Sequence, residues 1–200
     1  MRRPLRALCC LGLFNYLAVA EAQADEGAFH RYIEQTRAFR LKGEFAEANK
    51  AALSAVAEAE KSGRDANLAT SWNNLGALYC DAGRYAEAEK LLRRALDLWD
   101  KVINSVHPEL PQGLNNLAVL YLRTGRVKEA EPLLVRVLEI REKTLPPDHK
   151  DIAEVLNNLG ELHRDQGRYV EAEPLYRRAV GIWEKALGPD NPKIAIGLNN

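Results

Sequence analysis

The chain has 200 residues, 46% of them hydrophobic and 28% charged, which is the balance of a soluble folded protein and excludes disorder as its main state. Its 28 basic side chains are matched by 28 acidic ones, so no broad basic field exists to attract phosphate backbones, and nucleic acid is not an expected partner. Alanine (28) and leucine (29) outnumber valine, isoleucine and threonine together (22) by more than two to one, which predicts a mostly helical fold.

Residues 1–24 read as an export signal that does not belong to the fold. Arg2, Arg3 and Arg6 form a positive start, Leu8 to Ala20 is an apolar stretch broken by Asn15, and small residues follow in Ala18-Val19-Ala20 and Ala22-Gln23-Ala24. The stretch is shorter than the roughly 20 residues of a comfortable transmembrane helix, so a periplasmic or secreted location is expected, with membrane attachment only if the signal stays uncleaved. The flanks of Arg2-Arg3 differ from a twin-arginine signal, which favours the general secretory route. Cleavage near Ala24 removes Cys9 and Cys10 and leaves 25 basic and 27 acidic residues with one cysteine, Cys80. A lone cysteine makes no disulfide within its own domain. Cys80 reads as a small buried filler, with a mixed disulfide or dimer bridge as the competing role.

The rest of the chain, residues 25–200, is organised by a period. Asn73-Asn74-Leu75-Gly76 returns as Asn115-Asn116-Leu117-Ala118 and as Asn157-Asn158-Leu159-Gly160, and begins again at Asn199-Asn200, each step being 42 residues. Gly83-Arg84, Gly125-Arg126 and Gly167-Arg168 keep that step, as do Glu87-Ala88-Glu89, Glu129-Ala130-Glu131 and Glu171-Ala172-Glu173. A fixed period of this size signals a solenoid whose units bury their apolar faces against their neighbours. Within the unit 69–102, Ala69, Trp72, Leu75, Gly76 and Tyr79 make one helical stripe over residues 69–82, the A helix. Gly83 supplies a turn, and Ala88, Leu91, Leu92, Ala95, Leu98 and Trp99 make the stripe of a second, B helix from Tyr85 to about Lys101. The small residues Gly76 and Ala88 let the two axes approach closely.

The pattern Trp72-x2-Leu75-Gly76-x2-Tyr79 followed by Ala88-x3-Leu92 resembles the tetratricopeptide repeat signature. The usual unit is about 34 residues; the eight extra residues here fit a longer B helix and the loops containing Pro108, Pro146-Pro147 and Pro189 to Pro192. With its Asn-Asn-Leu and Glu-Ala-Glu-Pro strings, the array resembles the kinesin-light-chain type over roughly residues 29 to 200. The resemblance implies an all-α, right-handed superhelical solenoid of antiparallel hairpins. Units at 69–102, 111–144 and 153–186 are clear, 29–62 is degenerate, and 194–200 opens a further unit. In the degenerate unit Tyr32, Phe39 and Gly43 take the places of Trp72, Tyr79 and Gly83, Ala48, Ala52 and Ala55 lie on the B helix, and Gln35-Thr36 replaces Leu-Gly, as suits a capping unit whose A helix faces water.

Catalysis is not expected. His30, His107, His149 and His163 are scattered over different units without the spacing of a helical metal site, no nucleophile elbow or Gly-rich phosphate loop occurs, and the glutamates recur with the period as a solvated face does. No metal or cofactor is expected either. The resemblance implies instead a curved surface lined by the A helices. Counting Ala69 as position one, positions two, five, six, nine, twelve and thirteen face inward. These are Thr70, Asn73, Asn74, Ala77, Cys80 and Asp81, then Gln112, Asn115, Asn116, Val119, Leu122 and Arg123, then Glu154, Asn157, Asn158, Glu161, Arg164 and Asp165. An asparagine amide offers both donor and acceptor to an extended peptide backbone, the role that similar repeats give to the sixth-position residue, here Asn74, Asn116 and Asn158. The alternative is a hydrogen bond within the chain. The stripe is poor in cations, which disfavours a carboxylate clamp, and Ala77, Cys80, Val119 and Leu122 suit a segment with hydrophobic anchors. The expected function is thus a non-catalytic adaptor that binds a protein or peptide segment. A regulatory or substrate-recruiting arm for a separate enzyme or effector domain, and an envelope-assembly spacer, are the alternatives. Ile194, Ile196 and Leu198 are expected to be the sole cover of Leu175, Ala179 and Ile182, so that this face associates with further chain or with a second molecule.

Overall fold

The computed structural model describes residues 26–103, 107–188 and 191–199; the expected export signal, residues 1–24, lies outside them. Every element among the described residues is a helix. In chain order they are α1 (26–41), α2 (Phe45–Ser62), α3 (Asp65–Asp81), α4 (Tyr85–Ile103), α5 (Leu110–Arg123), α6 (Val127–Thr144), α7 (Lys150–Asp165), α8 (Tyr169–Leu187) and α9 (Pro192–Asn199). They form two compact units, Met1–Asn104 and Ser105–Asn200. The first holds the hairpins α1/α2 and α3/α4, the second α5/α6 and α7/α8 with α9.

The hairpin turns are set by glycine. Gly43, Gly83, Gly125 and Gly167 sit at φ of 74°, 74°, 73° and 75°, a left-handed conformation that costs a side chain roughly 1 kcal/mol or more. The residue after each glycine closes the turn by donating its N–H to the carbonyl five residues back: Arg84 to Tyr79, Arg126 to Tyr121 and Arg168 to His163, each at 2.8 Å. That bond satisfies a carbonyl which the end of a helix would otherwise leave unpaired. The arginine then works twice. Arg84 lies over the Tyr79 ring, 3.9 Å from its centroid, and holds Glu87; Arg126 lies over Tyr121 at 4.2 Å and holds Glu129 at 2.9 Å.

The close approach of paired helices is visible at the small residues. A Cβ added to Gly76 would stand 2.9 Å from Leu92 Cγ, and one added to Gly160 2.7 Å from the Tyr176 ring. Ala88 and Leu92 are buried opposite Gly76 and Tyr176 opposite Gly160, and Ala130, Leu134 and Ala172 are buried as well. In the first unit Phe29 and Ile33 of α1 pack with Ala55 and Ala59 of α2, and Ala48 and Ala52 of α2 pack with Leu75 and Leu78 of α3. Thr36, at the place of Gly76, is buried with its hydroxyl donating to its own helix at the Tyr32 carbonyl, 2.8 Å away. In the second unit Ile152, Ala153 and Leu156 of α7 join Ala179, Val180, Ile182 and Trp183 of α8 and Ile194 of α9.

In that last cluster α9 supplies cover to α8 at Ile194, one of the three residues expected there. Ala179 and Ile182 are buried, Ile194 is buried against them, and Gly197 lies so close that a Cβ there would meet Val180 at 2.7 Å. Seven or eight residues do not hold a helix alone, but Asn191 caps α9 and its apolar side packs on α8. The side chains of Ile196 and Leu198 lie outside the description.

Candidate functional site

In the first unit the stripe predicted on α3 is largely consumed by the chain itself. Asn73 and Ala77 retain 4% and 3% exposure, and Thr70 and Cys80 are buried with them. Asn74 stays half-buried, its Nδ2 donating to the Thr70 carbonyl at 2.9 Å. Asp81 accepts from Arg40 Nε at 2.5 Å, which ties α3 to α1. Cys80 is buried and is in no disulfide among the described residues, in keeping with a small filler.

In the second unit the stripe is more open. On α5, Asn115, Asn116, Val119 and Leu122 are half-buried and Arg123 is exposed; Gln112 donates to Asn116 Oδ1 at 3.1 Å. On α7, Asn157 is 8% exposed and donates to Glu161 Oε1 at 2.8 Å, whereas Asn158 is half-buried. Arg164 holds Asp165 through Nε and Nη2 at 3.2 and 3.1 Å, a pairing that pushes its guanidinium still further from neutrality. Glu154 is paired with Lys193 of α9. The inward-facing residues therefore divide. Asn73, Ala77 and Asn157 serve internal packing, while Asn74, Asn115, Asn116, Val119, Leu122, Arg123, Asn158, Glu161 and Arg164 keep surface that a partner could reach.

Two of the histidines have a structural task that composition and motif spacing missed. His107 Nδ1 accepts the N–H of Glu109, and His149 Nδ1 accepts that of Asp151, each at 3.2 Å. Asn191 does the same for Lys193 at 3.1 Å. At His149 and Asn191 this is an N-terminal cap, which satisfies a backbone donor that the first turn of a helix leaves free, whereas at His107 the bond lies in the turn that precedes α5. His107, His149 and Asn191 are one 42-residue step apart, so the period itself carried the signal. Burial holds the His107 ring below the ordinary histidine range, partly opposed by Glu109. His163, in the place of Tyr79 and Tyr121, faces Glu171 at 3.3 Å, and Arg168 reaches across from that turn to Glu131 of α6 at 2.8 Å. Among the described residues no group of three or more His, Cys, Asp or Glu is placed to hold a metal ion.

With this geometry in hand, the chain can be set beside known proteins. The tetratricopeptide repeat profiles match residues 67–143 and 152–193. A crystal structure of Podosopora anserina kinesin light chain nearly identical repeats is 27% identical, covers 84% of this chain and 80% of its own, and superposes with a TM-score of 0.71. BtubC from P. vanneervenii is 22% identical over 82% of this chain and 66% of its own, with a TM-score of 0.69. PilF of Pseudomonas aeruginosa is 18% identical over 88% and 68%, with a TM-score of 0.67, a likeness of fold alone. No curated protein matches the sequence.

Proposed function

This chain belongs to the tetratricopeptide repeat family, of the kinesin-light-chain type, and from that premise we propose that it is an exported, non-catalytic adaptor whose A helices hold a segment of a partner protein. Its fold is that of an all-α repeat solenoid, and such repeats make it a protein–protein interaction module. Function belongs to sites and not to folds, so the partner face has to be argued from side chains. The observation that carries it is that the sixth-position amide stays half-buried in each clear repeat, Asn74 in the first unit and Asn116 and Asn158 in the second, and that α5 also keeps the aliphatic pair Val119 and Leu122 half-buried. Half-burial lowers the entropy cost of a contact, and an amide near apolar surface suits a peptide backbone and its anchors.

Export rests on the charged start, apolar run and small residues of 1–24. None of the described helices is long and apolar enough to cross a membrane. The test is photocrosslinking in the exported compartment, with a benzophenone side chain in place of Leu122 and, as control, in place of the exposed Lys143 on α6. A discrete crosslinked protein is expected from position 122 only. Equal yields at both positions, or none at 122, would refute the reading.

A further inference from the structure

We infer that the open side of α8 docks one amphipathic helix of a separate protein, laid parallel to α8 and carrying two arginines ten residues apart that reach Glu173 and Glu184. Tyr169, Ala172, Tyr176, Val180 and Glu184 follow one another along α8 at steps of three or four, which puts them on one side of the helix. They line a groove of about 520 Å³, to which Gly181 and Gly197 of α9 also contribute. The stripe runs roughly 22 Å along the helix. Tyr169 is 68% exposed on it, and Tyr176, at 7% exposure, has a hydroxyl without a hydrogen-bond partner among the described residues. A buried hydroxyl left unmatched at the wall of an open groove calls for a polar atom from outside the chain.

The charge of the occupant is read from the repeat itself. On α6, Glu131 accepts from Arg168 at 2.8 Å and Glu142 pairs with Arg178 at 2.6 Å. These arginines are the residue that caps α8 and the tenth residue beyond it, so one helix brings both. One period after Glu131 and Glu142 stand Glu173 and Glu184, both on the groove. Glu184 has no partner among the described residues. Arg177 engages Glu173 at Oε1 alone, by Nε at 2.8 Å and Nη2 at 2.7 Å, in an exposed pair that contributes little. Oε2, the atom by which Glu131 holds Arg168, stays open for a second guanidinium. The other cation on the groove, Arg164, holds Asp165.

A second copy of this chain does not supply that helix. Its leading hairpin carries Glu44 and Ser54 at the places of Arg168 and Arg178, which would set carboxylate against carboxylate. Its later hairpins keep the arginine pair but engage it internally: Arg84 holds Glu87, Arg94 lies over the Trp72 ring, Arg126 holds Glu129, and Arg136 has a partner within the chain.

The experiment titrates the whole chain against a fluorescein-labelled, hydrocarbon-stapled helix with the sequence of residues 84–103, in which Arg84 and Arg94 keep the ten-residue spacing free of their native contacts, and follows anisotropy. Binding should weaken about fivefold in the chain variant Glu173→Gln/Glu184→Gln, and about as much when the peptide instead carries Arg84→Gln/Arg94→Gln. Combining the two changes should cost no more than either alone. Affinity should fall between about 50 and about 500 mM NaCl. Gly181→Trp should abolish binding with an unchanged helical melt, because an added Cβ there meets nothing within 4 Å and the ring fills the groove. If that variant melts early, the two exposed glutamates decide the matter alone. A peptide indifferent to Glu173 and Glu184, or additive losses from the two sets of changes, would overturn the inference. So would sedimentation of the chain by itself as a dimer that Gly181→Trp dissolves, since the occupant would then be a second copy. None of these outcomes bears on the A-helix reading.

Discussion

Gly160→Ala offers the sharpest test of the hairpin packing. A Cβ at Gly160 would lie 2.7 Å from Tyr176 Cε1 and 2.9 Å from Cδ1 and Cζ, and a ring clamped in the core yields less readily than the end of an aliphatic chain. Overpacking of this kind costs about 1–3 kcal/mol, against which alanine gains about 1 kcal/mol over glycine in a helix interior. The net expectation is a loss of about 1 kcal/mol, or a drop of roughly 4–8 °C in the midpoint of a unit of this size. The chain contains its own control. One step earlier in the repeat, Ala118 and Leu134 occupy the places of Gly160 and Tyr176, and both are fully buried. Tyr176→Leu alone should therefore destabilise by opening a cavity above Gly160, while Gly160→Ala/Tyr176→Leu should recover stability relative to the sum of the singles by at least about 1 kcal/mol. Denaturant titrations of the four proteins, followed by circular dichroism, measure that coupling. Additive effects, or a Gly160→Ala protein more stable than the parent, would refute the account of how the hairpin closes.

Leu117→Asp would place a carboxylate at a buried point of α5 and should cost several kcal/mol, read as a cooperative loss of helicity on heating; an unchanged melt would show the α5/α6 interface to be misassigned. Gly125→Ala should destabilise by roughly 1 kcal/mol because φ is +73° there, whereas Gly181→Ala, in a helix and with nothing within 4 Å of its added Cβ, should stabilise by up to about 1 kcal/mol; thermal melts that rank them the other way would contradict the turn geometry. His107 is held below the ordinary histidine value of about 6.5, so its neutral ring favours the fold above that pH, and the contribution is lost as pH falls through the depressed folded value. The midpoint should fall on acidification from about pH 7.5 to about pH 5, and His107→Asn, which keeps a side-chain acceptor for the Glu109 N–H, should flatten the slope; identical slopes would remove His107 from the account.

Much of this was legible because repetition multiplies a weak signal. One Gly-Arg or one Asn-Asn pair says little, but three copies at 42 residues, each with helical stripes before and after, place the A helix, turn and B helix together. Element ends were less legible. α3 starts at Asp65 and α7 at Lys150, ahead of the positions 69 and 153 where the apolar stripe begins, since a polar first turn, capped by His149 in α7 and without a side-chain cap in α3, leaves no mark in the hydrophobic pattern. His107 and His149 looked scattered when judged as metal ligands, and shared one register when judged as acceptors of a backbone N–H two residues on. Arg84 and Arg126 marked the period without revealing the rings they cover.

The sequence by itself determined the all-α class, the period and the four hairpin turns, because these follow from spacing along one chain and from the φ that only glycine adopts freely. The tertiary structure alone decided which inward-facing residues still meet solvent. Asn73, Asn115 and Asn157 hold the same repeat position, yet the first and last are buried and the middle one is half-exposed. Burial is a property of the neighbours that other helices bring, and no spacing within a single repeat encodes it.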